Sequence, residues 1–282
     1  VVRYRPCIET TFDLFEHWSC ATDTAGFWLI HNADGSQHLF GKTSLARRTD
    51  PDEQSHVGEW LLEESLSAHG EHIVYEYNAD PAATQGPADH RAQRYLGCVR
   101  YGNFSADAQL YLCKIDGLKE VRWHFELQFD YVGRSTSLDS KPGYLATSEL
   151  PERSDPFSDF SYGFELRTQR LCKQILMFHY FPDEASLGAV PVLVRRTLFE
   201  YQTSPLSYSC LSSAMTQAYG ETSSSFHPPL EFAYYDFSLE EGSHRYKPFN
   251  ALSSLNHQQH FQFVDLLGEG LPGVLHRNDK NW

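Results

Sequence analysis

Residues Val121–Tyr131 read Val-Arg-Trp-His-Phe-Glu-Leu-Gln-Phe-Asp-Tyr, with an apolar or aromatic residue at every odd position and a polar one at every even position. Side chains on a β-strand alternate between its two faces, so this spacing places all the large apolar groups on one side. The pattern predicts a long antiparallel strand with its greasy face buried and its polar face wet. No helix of period 3.6 accommodates it. Aromatic residues make up 14% of the chain, and flat rings favour pleated surfaces, so the whole chain is expected to be all-β.

The same pattern recurs. Phe27–His31, the turn Asn32-Ala33-Asp34-Gly35 and Ser36–Gly41 predict a hairpin. Trp60–Ser65, the turn around His69-Gly70 and His72–Tyr77 predict a second. Further strands are expected near Tyr95–Tyr101, Ser161–Arg167, Arg170–Phe181, Pro191–Gln202, Ser209–Tyr219 and Leu230–Phe237. Asn78–Arg91 and Ser135–Pro156, rich in Asp, Pro, Ser and Gly, read as surface loops, and Ser223–Ser225 beside Pro228-Pro229 reads as a linker. Phe12–Trp18 is expected to form a short helical turn. The hairpins repeat without a fixed period, as in extended sheets or a spiral shell where each buries its face on a neighbour.

A formal net charge of −14 argues against binding the phosphates of a nucleic acid or an anionic membrane. No apolar run approaches the roughly 20 residues of a membrane helix, so direct membrane insertion is not expected. The chain opens on Val1-Val2-Arg3 without an initiator Met or signal pattern and stops at Trp282, and both ends read as cuts inside a longer polypeptide. The six cysteines, Cys7, Cys20, Cys98, Cys113, Cys172 and Cys210, form no zinc framework. They read as reduced thiols, with Cys7–Cys20 and Cys98–Cys113 open as hairpin-flanking bridges.

Candidate constellations are few. His69/His72 and His257/His260 pair histidines without the third and fourth converging ligands that a metal needs. Among the acids, Glu63 and Glu64 are adjacent on a strand and point to opposite faces, while Glu240-Glu241 and Asp155/Asp159 carry no motif that makes them a general acid–base couple. Cys172 and His179 read as a structural thiol and a separate imidazole rather than a nucleophile pair. No nucleophile elbow, P-loop or dinucleotide fingerprint occurs. The expectation is therefore no catalytic residue, no cofactor and no enzyme. Trp18, Trp28, Trp60, Trp123 and Trp282 are mostly core candidates, though an aromatic face is also fit to line a cavity or meet a partner.

Several segments together resemble one family. They are Leu39-Phe40-Gly41-Lys42-Thr43 after Asp34-Gly35-Ser36, Trp60–Ser65 with Gly70-Glu71 and Tyr75-Glu76-Tyr77, Gly163–Cys172, Leu176–Phe181, and Phe263–Gly273. They are similar to the SpvB-type region that opens the B component of Tc (toxin complex) insecticidal toxins. The resemblance implies an extended antiparallel RHS-like β-sheet or shell segment over residues 1–250 and the start of an FG-GAP-like β-propeller blade over 251–282, opening with the strand Phe261–Leu266. It implies a non-enzymatic part of a hollow shell that encloses a cytotoxic domain. It also implies a propeller docked on the A-component channel, a C-component (RHS repeats plus cytotoxic cargo) as partner, and secretion after assembly in the cytoplasm. In SpvB-like relatives the same region precedes a separate ADP-ribosyltransferase domain, which this chain has no room to hold. FG-GAP loops often hold calcium, which takes about six to eight oxygens. Here only Asp265 and Glu269 offer carboxylates, so the loop is read as a metal-free turn. The alternative from another class is a carbohydrate-binding or glycoside-active β protein; a third is an SpvB-like adhesion domain.

Overall fold

The computed structural model describes residues 1–80, 88–104, 122–131, 133–146, 152–184, 190–220, 223–235, 261–266, 268, 270 and 272–277. The chain divides into two compact units, Val1–Asp236 and Phe237–Trp282. In the first, strands β1 (Val2–Tyr4), β2 (Leu14–Cys20), β3 (Asp23–His31) and β4 (Gln37–Phe40) precede a single 3-10 turn, Ser44–Ala46. Then come β5 (Arg47–Thr49), β6 (Val57–Trp60), β7 (Leu62–Leu66), β8 (His72–Ala79), β9 (Arg94–Asn103) and β10 (Trp123–Asp130). The unit continues with β11 (Phe157–Asp159), β12 (Leu166–Thr168), β13 (Gln174–His179), β14 (Val192–Thr203), β15 (Ser209–Tyr219), β16 (Ser224–Phe226) and β17 (Leu230–Glu231). The second unit contributes the antiparallel hairpin of β18 (Phe261–Val264) and β19 (Gly273–His276).

Thirteen of these strands form one antiparallel sheet, in the order β1-β2-β3-β4-β7-β8-β9-β10-β13-β14-β15-β16, with β17 also pairing β15. The fold is all-β, and sequential strands are neighbours along almost the whole sheet. Among the described residues the insertions are two short ribbons, β5-β6 and β11-β12, looped out of the path. Both expected hairpins form. Leu29 faces Leu39 across the first and Glu64 faces Val74 across the second. Their turns bend at Gly35 (φ +86°) and Gly70 (φ +84°), in the left-handed region that glycine enters without strain.

Several expectations do not hold. Phe12–Trp18 is not helical; Leu14 onward is β2, and Phe12 stands at φ +61° as the chain turns into it. Trp60 does not begin the second hairpin but ends β6 in a side ribbon, where Trp60 pairs with Arg47. Ser161–Arg167 is a turn whose only strand is Leu166–Thr168. Ser224–Phe226 is an edge strand on β15 rather than a linker.

The largest departure concerns the faces of the sheet. Opposed residues share a face, so register places Glu64, Val74, Arg100, Glu126 and Phe178 in one row. A second row holds Glu76, Cys98, Gln128, Leu176, Arg196 and Gln217. This polar-rich side is the covered one: Glu64, Val74, Leu176, Arg196 and Gln217 have no exposed surface. On the apolar side of β10, Trp123 is buried while Phe125, Leu127 and Phe129 stay half-buried. The alternation over Trp123–Asp130 is real, but the side expected to be wet is the one that holds the strands' most deeply buried row.

Candidate functional site

The sealed face is held by one continuous hydrogen-bonded seam. Arg100 pairs with Glu76 on β8 and donates through Nε to Glu126 Oε2 on β10 at 2.9 Å. Gln128 Nε2 donates to Glu126 Oε1 (2.6 Å), and Arg134 Nη2 to Gln128 Oε1 (2.6 Å). Arg134 also reaches Asp130 Oδ1 at 3.4 Å, and Gln174 Nε2 on β13 donates to Asp130 Oδ2 at 2.8 Å. Arg196 on β14 donates to Gln174 Oε1 (3.3 Å) and, through Nε and Nη2, to Gln217 Oε1 on β15 (2.9 and 2.8 Å). Three guanidinium groups therefore alternate with three carboxylates across six strands, and their charges balance.

The same donors fasten the segment after β10. Arg196 donates to the carbonyls of Ser135 (3.0 Å) and Ser137 (2.6 Å), Gln217 to that of Leu138 (3.0 Å), and Arg134 to that of Tyr144 (2.7 Å). Tyr144 lays its ring edge-on against Phe178 and its hydroxyl on Glu126 at 3.1 Å. Part of the expected Ser135–Pro156 surface loop is thus a strap over the sheet. This is why the polar face is the covered one: a loop has backbone carbonyls to satisfy, and an apolar face has no donors for them.

The seam tunes its own members. Burial pulls the Arg196 guanidinium below its ordinary value. Burial acts the same way on Arg100, but the surrounding Cys98, Glu126 and Glu76 hold it above its ordinary value overall. Tyr144 is pushed up to about 12 by burial and by Glu126. Burial, with Glu126 nearby, raises the Cys98 thiol, so it stays protonated and unreactive at neutral pH.

The residues singled out from the sequence are dispersed. Glu63 accepts Thr43 N (3.0 Å) and Oγ1 (2.6 Å), and burial raises its pKa. Glu64 turns the other way onto His72 Nδ1 at 2.5 Å, with both side chains wholly buried. His69 is exposed in the turn while His72 is buried, so this pair does not converge. Asp155 is bound by Arg153 (2.9 Å) and by Ser209 Oγ (2.6 Å), whereas Asp159 caps Ser161 (2.5 Å). Cys172 precedes β13 and donates to Gln174 O (3.4 Å), and burial pushes its thiol up to about 11. His179 ends the same strand, roughly 20 Å away at the rise of a β-strand. Cys7, Cys20, Cys98, Cys172 and Cys210 are unbridged. Tyr4 faces Phe15, so Cys7 lies beyond one end of β2 and Cys20 at the other.

Trp123 is buried, and Trp18 is exposed and stacked on Phe27 at 6.1 Å. Trp28 and Trp60 meet edge-on at 6.2 Å, with His17 against both. Asp265 Oδ2 accepts the backbone N of Gly270 at 2.6 Å, as in a closed turn. Glu269, His257, His260, Glu240, Glu241, Cys113 and Trp282 lie outside the described residues. Among the described residues no cluster of three or more His, Cys, Asp or Glu side chains converges as a metal site, and no helix is long and apolar enough to cross a membrane. The seam gave no sequence motif; its only signal was polar residues at the even positions of β10, which read as solvent-facing.

What the geometry defines is a wide antiparallel β-sheet domain clamped by a charge-balanced seam, a framework in which the seam's acids are already committed to hydrogen bonds. Residues 1–181 match the SpvB family, described as Salmonella virulence plasmid 65kDa B protein, and the chain belongs to that family. It is 43% identical over 225 residues to the mono(ADP-ribosyl)transferase SpvB of Salmonella typhimurium (strain 14028s / SGSC 2262), covering 78% of this chain and 37% of that protein. The chain therefore spans little more than a third of the curated relatives it matches. The N-terminal domain of effector protein SpvB from Salmonella typhimurium strain LT2 superposes with a TM-score of 0.70 at 42% identity, over 77% of this chain and 69% of that one. The TcdB2-TccC3 crystal structure superposes with a TM-score of 0.81 at 37% identity, over 99% of this chain and 14% of that one. The Photorhabdus luminescens Tc holotoxin pore gives 0.83 at 37% identity, over 99% and 13%. The chain is homologous to a segment of the TcdB2 part of a Tc toxin complex, and so to bacterial toxin and virulence proteins.

Proposed function

We propose that the chain is a non-enzymatic wall segment of a Tc-type toxin B component, forming part of a hollow β-shell around a cytotoxic domain. The observation that carries this reading is the superposition on the Tc holotoxin pore structure over 99% of the chain with a TM-score of 0.83. The curated SpvB relatives are transferases, but the chain covers only 37% of their length. The sheet itself uses its buried acids as structural partners. The function is containment: a rigid, hydrogen-bonded wall that keeps a cargo chain from escaping until docking opens the exit. On this reading residues 1–250 are wall and 251–282 begin the propeller. The partners are an A-type channel and a C-type component carrying the cargo, and the assembled complex acts outside the cell that made it.

Two measurements test this. The full protein carrying this segment, co-expressed with a C-type component, is expected to co-elute with it as one stable complex; separate elution contradicts the wall reading. The 282-residue chain incubated with labelled NAD and a eukaryotic cell lysate is expected to transfer no label, and label on any protein above the no-chain control contradicts the non-enzymatic reading.

A further inference from the structure

A cavity of about 360 Å³ opens on the half-buried apolar side, where β8, β9 and β10 end. Tyr77, Tyr95, Phe129 and Tyr131 line it together with Leu45 and the end of β8. Tyr95 and Tyr131 lie 5.2 Å apart at 51°. Tyr95 cannot swing, because its hydroxyl accepts the backbone N–H groups of Gln169 (2.9 Å) and Arg170 (3.3 Å). Asp80 and Arg170 also line the cavity, their side chains 0% and 4% exposed. Arg170 Nε and Nη2 take both carboxylate oxygens of Asp80, at 2.9 and 2.6 Å. Ala146 lies exposed at the rim.

These features select a ligand class. The volume falls at the small end of the range for ligand pockets, about 300–1,000 Å³, and fits one or two fused rings with a short substituent. Aromatic walls at this spacing favour a flat partner in stacked or edge-on contact. The charged pair is matched internally, so it offers no net charge to an ionic ligand, and a charged group entering here would lose water without gaining a counter-ion. Tyr131, which also lines the cavity, brings a hydroxyl that is able to orient an incoming ring. We propose that this cavity is a binding socket for a neutral planar aromatic ring with a hydrogen-bonding edge, supplied either as a free small molecule or as an aromatic side chain of a polypeptide. The inference stands independently of the wall reading.

Titration of the chain with 2-naphthol, followed by fluorescence, tests the socket. N-acetyl-tryptophanamide forms the peptide arm and 2-naphthoate the charged control. We expect saturable one-site binding of at least one neutral probe, with 2-naphthoate at least ten-fold weaker. Ala146→Trp, on an exposed loop, should fill the rim and weaken binding at least ten-fold with the circular dichroism spectrum unchanged. Tyr131→Phe should weaken it several-fold. Saturable binding of N-acetyl-tryptophanamide marks a side-chain ligand, and binding of 2-naphthol alone marks a free small molecule. Absence of saturable binding by both neutral probes, indifference to Ala146→Trp, or equal binding of 2-naphthoate overturns the proposal.

Discussion

Glu64 and His72 sit opposite the ordinary rule that charged groups stay in water. They are joined at 2.5 Å with neither side chain exposed, and Asn103 fixes the backbone N of His72 at 2.9 Å. Removing one partner of such a pair strands the other without solvent. Glu64→Ala is therefore expected to cost about 3–5 kcal/mol in urea unfolding. The double variant Glu64→Leu/His72→Phe should cost clearly less than the sum of the two single changes; simple additivity would show that the pair is not coupled. Asp155 gives a test in pH. Its bonds from Arg153 and then Ser209 hold its carboxyl well below the usual range. A depressed folded pKa supplies stability that is present above the unfolded value, about 3.9, and lost as pH falls through the folded one. The Tm advantage of the native chain over Asp155→Asn should be largest near neutrality and shrink toward pH 2, and an advantage that grows on acidification contradicts the assignment. Glu63, raised by burial, has the opposite sign: Glu63→Gln should gain on the native chain as pH rises. None of these partners was readable beforehand. Adjacent glutamates on a strand show only that they part company, and what each meets comes from residues 20 positions before one and 8 after the other.

Individual elements were more legible than their surroundings. Alternation located β10, and glycine-bearing turns located the two hairpins, because both signals are local. Helix was wrongly expected for Phe12–Trp18, since a short mixed segment carries no period strong enough to oppose pairing with β1 and β3. Which side of β10 would be covered was not legible either. Parity is written in the strand, but the cover comes from a strap whose carbonyls need the donors of Arg196, Gln217 and Arg134. Arg196→Met should therefore cost roughly 3–5 kcal/mol by leaving buried acceptors unpaired. It should also speed hydrogen exchange and proteolysis in residues 135–144, while unchanged protection there would mean the strap is held by other contacts. Glycine imposes a second demand at Gly26, which lies at φ +61° where a Cβ would come within 2.0 Å of Trp18 O. Gly26→Ala is expected to cost at least about 2 kcal/mol, read from the urea midpoint, because the strand edge must move to admit it.

At the scale of the molecule, thirteen strands in near-sequential order make a sheet far wider than the usual four to six. One face is sealed by a neutral seam, and the other carries half-buried aromatic and aliphatic residues. Both features suit a wall that meets further protein, and they agree with superposition on Tc toxin structures seven times its length. The family was recognisable from short segments scattered between residues 3 and 273, while the seam and the aromatic cavity emerged only when distant strands were brought into register. The most direct test is protease protection. The full protein carrying this segment is assembled with a C-type component and treated with a non-specific protease, and the cargo domain is followed by immunoblot. Containment predicts an intact cargo that becomes digestible once the complex is unfolded in urea; a cargo digested at the same rate before and after unfolding would contradict it.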